Sequence, residues 1–326
     1  MLTNLLNSSA CGESTEYFKA KCPFCGQTII HTENYFSCYF CNKSGTASDL
    51  LALKNKISKS VADQMLDNYQ VSPQVYARLQ SVLEIFESNL KPEHPYLKKR
   101  GLTKEIIDKY HIGWSDGTLA ERVSDQGKEE LLELGLIKKD GFEIFRNRLI
   151  FPIFDEKNRV IGFGGRIIKD AVRRDGTKIP KYVNSPESDI FKKKNILYGI
   201  QNINPKEPVY LLEGYLDVIT AQAAGVNAVA CLGVAFGLGH IELLKSLNVK
   251  QLIIALDSDE VGQKNAVKAA ALAKDYFDTQ VLKPLVDAKD ADEYISKYGG
   301  DSFKKAKIVS AKYFLMQQNL SPVDIL

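Results

Sequence analysis

The 326-residue chain has no run approaching 18 consecutive apolar residues, so no segment has the length of a membrane-spanning helix. Its first ten residues, MLTNLLNSSA, lack the basic start and long apolar stretch of a secretory signal, so the chain is expected to stay in the cytoplasm. No internal repeat or low-complexity tract is present. With 44% apolar residues, fibrous and wholly disordered classes are excluded. Net charge is low as well: 43 Lys+Arg against 40 Asp+Glu leave +3. At roughly 100–200 residues per domain, the length predicts two or three folded units.

Disulfides are rare in a reducing compartment, so the cysteines that are present ask for another explanation. The spacing is Cys22-x2-Cys25, twelve residues, then Cys38-x2-Cys41. Two such knuckles can place four thiolates around one Zn²⁺, and the segments 28–30 and 35–37 would form the hairpin of a zinc ribbon. Four Cys ligands leave no open position, so the zinc is expected to be structural. Phe24, Tyr35, Phe36, Tyr39 and Phe40 surround the knuckles, with Lys19, Lys21 and Lys43 nearby. Interleaved rings and cations suit single-stranded nucleic acid. The plainer alternative is that the rings form the ribbon's own small core. Cys11 reads as a spare thiol, Cys231 as a small core residue and His31 as an exposed turn histidine.

The near-zero net charge hides an asymmetry. Residues 142–206 hold 14 Lys+Arg against 7 Asp+Glu (+7), whereas 207–297 hold 8 against 13 (−5). A basic block for polyanions is thus expected beside a site that gathers cations. Apolar spacing predicts helices over 47–69, capped by Ser48 or Asp49, and over 73–90. The segment KPEHP (91–95) marks a boundary. Runs at 147–154 and 159–168, parted by a polar turn, predict a hairpin, with Gly164-Gly165 as a bulge or close backbone approach. From 209 onward, apolar runs at 209–212, 228–231, 252–256 and 281–285 alternate with helical stretches at 216–224, 238–247 and 260–276, the pattern of a covered parallel sheet.

Acidic residues cluster at the ends of those strands: Glu213 and Asp217, Asp257 and Asp259, Asp290 and Asp292. Open parallel sheets bind ligands there. Converging carboxylates suit hard cations such as Mg²⁺, and two such ions can clamp a phosphoryl transfer. Taken singly, Asp217 and Asp292 could be helix N-caps and Asp257-Ser258-Asp259 a turn.

In this order, EGYLD (213–217), DSD (257–259) and KDADE (289–293) resemble the Toprim domain of bacterial DnaG-type primases. YLKKRGLTKEIIDKYHIGW (96–114), FRNRLIFPIFDEKNRVIGFGGRII (145–168) and PKYVNSPESDIFKKKNILYG (180–199) are similar to the N-terminal part of the same family's polymerase core. The likeness spans nearly the whole chain. It departs at Cys25, where the family usually has His, an all-Cys pattern more like phage-type primases. It departs again at Ser258, where the family usually has Gly. The chain stops at Leu326, short of most of the family's helical subdomain and of its helicase-binding domain, as either a compact or a truncated form would.

The resemblance implies a multidomain α+β and α/β protein. Its expected parts are a zinc-ribbon DNA-binding domain at 1–60, a helical linker at 61–95 and a basic α+β subdomain at 96–206. A Toprim parallel α/β domain at 207–297 and the start of a C-terminal helical segment at 298–326 complete it. It implies synthesis of short RNA primers from ribonucleoside triphosphates on single-stranded DNA, with one Zn²⁺ and with Mg²⁺ or Mn²⁺. Glu213, Asp257 and Asp259 are then the catalytic residues, and Asp217, Asp290 and Asp292 help to hold metal. Arg146, Arg148, Arg166, Lys181, Asn184 and Lys192 are candidates for nucleic-acid contact, Asn184 being equally a turn cap before Pro186. Gly233 would let the backbone approach the site closely. A replicative helicase partner in a primosome, a monomeric state and no membrane association complete the expectation. The alternative is a non-polymerising Toprim protein, either a nuclease or a RecR-like DNA-binding module.

Overall fold

The computed structural model describes all residues except 1–5, 7–8, 12–13, 33–34, 71–72, 170–171, 173–175 and 319–326, and at 9–11, 14–18, 65–70 and 73 the backbone alone. Cys11 and the end of the chain therefore lie outside the described side chains. The chain divides into two units, Met1–Val71 and Ser72–Leu326.

The first unit is an antiparallel sheet in sequential order: β1 (Ser9–Cys11), β2 (Ser14–Lys21), β3 (Thr28–His31), β4 (Phe36–Cys38) and β5 (Lys43–Gly45). Helices α1 (Ala47–Asn55) and α2 (Lys59–Gln70) follow. The single helix expected over 47–69 is split at Lys56, which turns left-handed (φ 54°). Ser58 restarts it, its hydroxyl accepting from the Val61 amide at 3.3 Å. The first cap is Thr46 rather than Ser48 or Asp49, and Asp49 returns the bond by accepting from the Thr46 amide at 2.8 Å. His31 is not an exposed turn residue. Alternation along β3 turns Ile29 and His31 inward, where His31 is buried with Nδ1 2.7 Å from the Thr32 carbonyl.

The second unit begins with α3 (Pro73–Asn89), α4 (Pro95–Lys99) and α5 (Lys104–Lys109). A four-stranded antiparallel sheet comes next, β6 (Gly113–Ser115), β7 (Arg148–Phe154), β8 (Val160–Arg166) and β9 (Tyr182–Asn184), with α6 (Asp125–Glu133) between β6 and β7. The expected hairpin is β7–β8. Asp155 closes its turn by accepting from the amides of Lys157 (3.0 Å) and Arg159 (2.8 Å). The bulge falls at Ile153–Phe154, not at the glycines. Gly164 is instead a close approach, since a Cβ there would collide with the Tyr215 ring. Every residue of β7 and β8 is buried. Phe86, Phe145 and Phe163 meet edge-to-face there, their centroids 5.3–6.4 Å apart.

The third sheet comprises β10 (Val209–Leu212), β11 (Ala228–Ala230), β12 (Gln251–Ile254), β13 (Asp278–Leu282) and β14 (Ile308–Ser310). Helices α7 (Tyr215–Ala223), α8 (Leu238–Ser246), α9 (Glu260–Ala273), α10 (Ala291–Tyr298), α11 (Gly300–Lys304) and α12 (Ala311–Met316) connect and follow these strands. Spatial order is β11-β10-β12-β13-β14, parallel except for β14. The segment expected to be helical from residue 298 carries α11 and α12 and also contributes an antiparallel edge strand, β14. Alanines at 266, 269, 270 and 273 on α9 join Leu252, Ile254 and Val281 in one buried core, their small side chains letting helix and sheet close up. The chain leaves β10 on one side for β11 and returns on the other side for β12. That reversal opens a crevice at the strands' carboxyl ends. Among the described residues no helix is long and apolar enough to cross a membrane.

Candidate functional site

In the first unit, the loops after β2 and β4 bring Cys22, Cys25, Cys38 and Cys41 together with all four sulfurs within 4.8 Å of one another. Cys22–Cys41 and Cys25–Cys38 are separated by 3.7 and 3.6 Å. A tetrahedron with Zn–S bonds of ~2.3 Å has edges of about 3.8 Å, so this donor set fits Zn²⁺ in size as well as chemistry. Burial raises the Cys41 thiol to about 12, the other thiols adding to the shift. At Cys38 burial also acts upward, but the Cys41 and Phe40 amides together with the Cys25 and Cys41 thiols outweigh it and bring the thiol to about 7. The aromatics divide: Phe36 is core, whereas Tyr35, Tyr39 and Phe40 are exposed, Tyr39 at 96%. Lys43 lies 4.2 Å over the Phe24 ring. The plainer reading holds for Phe36 and fails for those three.

In the second unit, the predicted acidic residues lie around the crevice. Glu213 follows β10 and accepts from the Asp257 amide at 3.2 Å. Asp259 caps α9 through the Gly262 amide (2.7 Å) and Asp290 caps α10 through the Glu293 amide (2.8 Å). Capping thus falls to these two rather than to Asp217 and Asp292. Asp217 accepts from the Asp292 amide at 3.1 Å. The Asp292 carboxylate is buried between Arg100 (3.1 Å) and the Thr220 hydroxyl (2.7 Å). Ser258, the departure from the family's usual glycine, ties two loops together: its amide donates to the Lys289 carbonyl (2.7 Å) and its hydroxyl accepts from the Leu285 amide (3.0 Å).

The crevice is strongly negative. Burial and the charges of Glu213, Asp217, Asp290 and Asp259 raise Asp257 to about 7. Burial and Asp290 raise Asp217 to about 6. Hard oxygen donors under such mutual repulsion fit a hard cation. Their carboxylates do not form one ligand shell: among the described residues only the cysteines bring three or more ligand atoms within 4.8 Å. Each of Glu213, Asp217, Asp259 and Asp290 is instead turned onto a backbone amide.

The basic candidates separate by burial. Arg146 and Lys181 are exposed and Lys192 is half-buried. Arg148 is buried, its guanidinium donating to the carbonyls of Gly165 (3.2 Å), Lys181 (3.1 Å) and Pro180 (2.9 Å), so it fastens β8 to the approach to β9. Its replacement by Ala is expected to strand those acceptors and cost about 1–3 kcal/mol in urea unfolding, with Arg146→Ala near neutral. Arg148→Ala unfolding like the parent chain would remove that role. Arg166 is buried between the rings of Tyr96 (5.3 Å) and Tyr182 (5.2 Å). Asn184 neither caps a turn nor stands free, since its carbonyl accepts from the Tyr215 hydroxyl (2.5 Å) and its amide donates to the Leu232 carbonyl (3.2 Å). Gly233 has no atom within 4 Å of a Cβ position, and what requires glycine there is φ of +78°.

Two residues that spacing did not flag stand out. Arg100 reaches Asp292 from 192 positions away, which no local pattern could announce. His240 is fully buried and holds the basic turn at 192–195. Its Nδ1 accepts from the Gly237 amide (3.1 Å), leaving Nε2–H to donate to the Lys193 carbonyl (3.0 Å).

Carboxylates at the switch point of a mostly parallel sheet, preceded by an antiparallel basic subdomain, define a Toprim-type protein. Residues 210–295 match the Toprim-like family and residues 82–204 match the DNA primase catalytic core, N-terminal domain. The chain belongs to the DnaG-type primase family. It is 31% identical to the DNA primase of Buchnera aphidicola subsp. Acyrthosiphon pisum over 94% of this chain and 60% of that one. A DNA primase domain from Pseudomonas aeruginosa superposes with TM-score 0.66 at 31% identity, covering 75% of this chain and 82% of that one. A DnaG primase catalytic domain bound to single-stranded DNA gives TM-score 0.64 at 29% identity, covering 81% and 90%. The chain spans about half to three-fifths of the length of the curated relatives it matches.

Proposed function

We propose that the chain is a DNA primase, a nucleotidyltransferase making short RNA primers from ribonucleoside triphosphates on single-stranded DNA. The observation that carries this reading is the Asp257 amide held by Glu213 in a crevice where Asp217, Asp259 and Asp290 also bear on the Asp257 carboxylate. Glu213, Asp217, Asp257, Asp259, Asp290 and Asp292 would hold Mg²⁺ or Mn²⁺. The bound ions would supply charge neutralisation at the attacking and leaving oxygens. Glu213, whose carboxyl is raised by burial, would receive the proton of the primer 3′-hydroxyl. Initiation requires two nucleotides to be held together, so positioning supplies much of the rate. The ribbon, with its exposed Tyr35, Tyr39 and Phe40, would read the template start, one Zn²⁺ fixing its shape. A replicative helicase is the proposed partner.

Incubation with single-stranded DNA, labelled ribonucleotides and Mg²⁺ or Mn²⁺ should yield short RNA products. DNA cleavage, or metal-independent binding with no product, would sink the proposal. Arg146 and Lys181 are the proposed template contacts. Arg146→Ala with Lys181→Ala should flatten the log–log salt dependence of single-stranded DNA binding by about 1.4, from about 0.7 per lost phosphate contact. An unchanged slope would move the template path elsewhere.

A further inference from the structure

His240 takes no part in the chemistry assigned above, yet it is a buried side chain that joins the wall of the acidic crevice to a run of lysines. It stands at the third position of α8, where its Nδ1 accepts from the Gly237 amide (3.1 Å), the place that Glu or Gln fills in a capping box. Its Nε2–H then donates to the Lys193 carbonyl (3.0 Å). Burial holds the imidazole's pKa below its ordinary value, so the ring is neutral, with its one acceptor and its one donor both committed. The Phe236 ring stacks on it, inclined by 17° with centroids 5.6 Å apart. The segment that ends in this ring, Val234–Phe236, lines a cavity of about 210 Å³ together with Glu213 and Leu256. On the other side of the imidazole, the turn Lys193–Asn195 sits directly against α8, since a Cβ on Gly239 would strike the Asn195 side chain and the Lys194 carbonyl. Lys192, Lys193 and Lys194 thus stand in succession on a backbone that His240 ties to the crevice.

We propose that His240 is a positioning residue for the incoming ribonucleotide: it braces the lysine turn against the wall of the Glu213 crevice, so that the turn's ammonium groups meet the triphosphate. The inference deepens the primase reading and rests on it. The triphosphate, rather than the template, is the ligand because the loop that His240 holds borders Glu213, where the primer end and the incoming phosphates would meet. Lysines act on phosphate as point charges on flexible stems, so their effect depends on where the backbone carries them.

His240→Gln keeps an acceptor for the Gly237 amide, and hence the cap of α8, but gives up the bond to Lys193. Mg·ATP binding, followed by calorimetry, should weaken about three- to tenfold, the worth of one hydrogen bond. KM for ribonucleotides in primer synthesis should rise alike, with kcat within about twofold. Anisotropy of a labelled single strand should report an affinity within about twofold of the parent's. Gly239→Ala raises helix propensity and leaves His240 in place but pushes the turn away, so it should raise KM in the same direction. With both changes the effects should fall short of multiplying, because one turn carries them. A merely structural role predicts otherwise, since lost folded protein lowers kcat and leaves KM alone. Equal Mg·ATP affinity in parent and His240→Gln would overturn the proposal, as would a loss of strand binding as large as the loss of nucleotide binding. A parent chain that binds Mg·ATP without making primers sinks the primase reading alone, and the calorimetric comparison still decides the role of His240. Should His240→Gln not fold, Gly239→Ala decides by the same two binding measurements.

Discussion

Asp257→Ala should lower primer synthesis by at least about 10²-fold, the typical cost of removing one group that stabilises transition-state charge. Single-stranded DNA binding should change little. Asp257 is the residue to test because its carboxyl feels Glu213, Asp217, Asp290 and Asp259 together. Its own amide also orients Glu213. The alanine keeps that amide, so the variant separates the carboxylate's role from the backbone's. Asp259→Ala should behave alike in activity and in addition lose the α9 cap, worth roughly 1 kcal/mol. Products sized on a gel, beside anisotropy with a labelled oligonucleotide, give both readings. Either variant working at the parental rate would refute the assignment of these residues to metal.

Loss of zinc should unfold the first unit. Among the described residues its buried apolar set is small, and of Leu6, Ala20, Ile29, Phe36, Ala47 and Leu50 only Phe36 is aromatic. Structural zinc sites contribute about 10–16 kcal/mol of apparent binding free energy, which in a domain of this size exceeds what such a core supplies. One zinc per chain is expected by elemental analysis, and Cys38→Ser should abolish it. Trypsin should then cut between residues 19 and 56, where Lys19, Lys21, Lys43, Lys54 and Lys56 offer sites. A Cys38→Ser protein that keeps stoichiometric zinc and resists trypsin would show that the four sulfurs do not form the centre.

What could be read from the sequence was what is local or periodic. Two Cys-x2-Cys pairs are local, and their sulfurs meet. Apolar runs followed by acids are local too: Glu213 directly follows β10 and Asp257 comes soon after β12, while Asp290 opens α10 further along. The fate of the arginines was not legible, because charge composition does not say which way a side chain points. Arg148 and Arg166 count towards the basic block yet lie within a hairpin buried on both faces. The break in the helix expected over 47–69 was not legible either, since it depends on the left-handed Lys56. Contacts such as Arg100–Asp292 and Asn184–Leu232 depend on how the sheets are set side by side, which no sequence window contains.

A column of rings joins the antiparallel sheet to the acidic crevice. Phe151 stacks on Tyr215 (5.2 Å) and Tyr215 on Tyr182 (5.9 Å). Arg166 then lies between Tyr182 and Tyr96, and Arg100 beside Tyr96 reaches Asp292. The two family-matching blocks are therefore coupled through side chains: a cut between residues 206 and 207 would part Tyr215 from Phe151 and Tyr182, and Asp292 from Arg100.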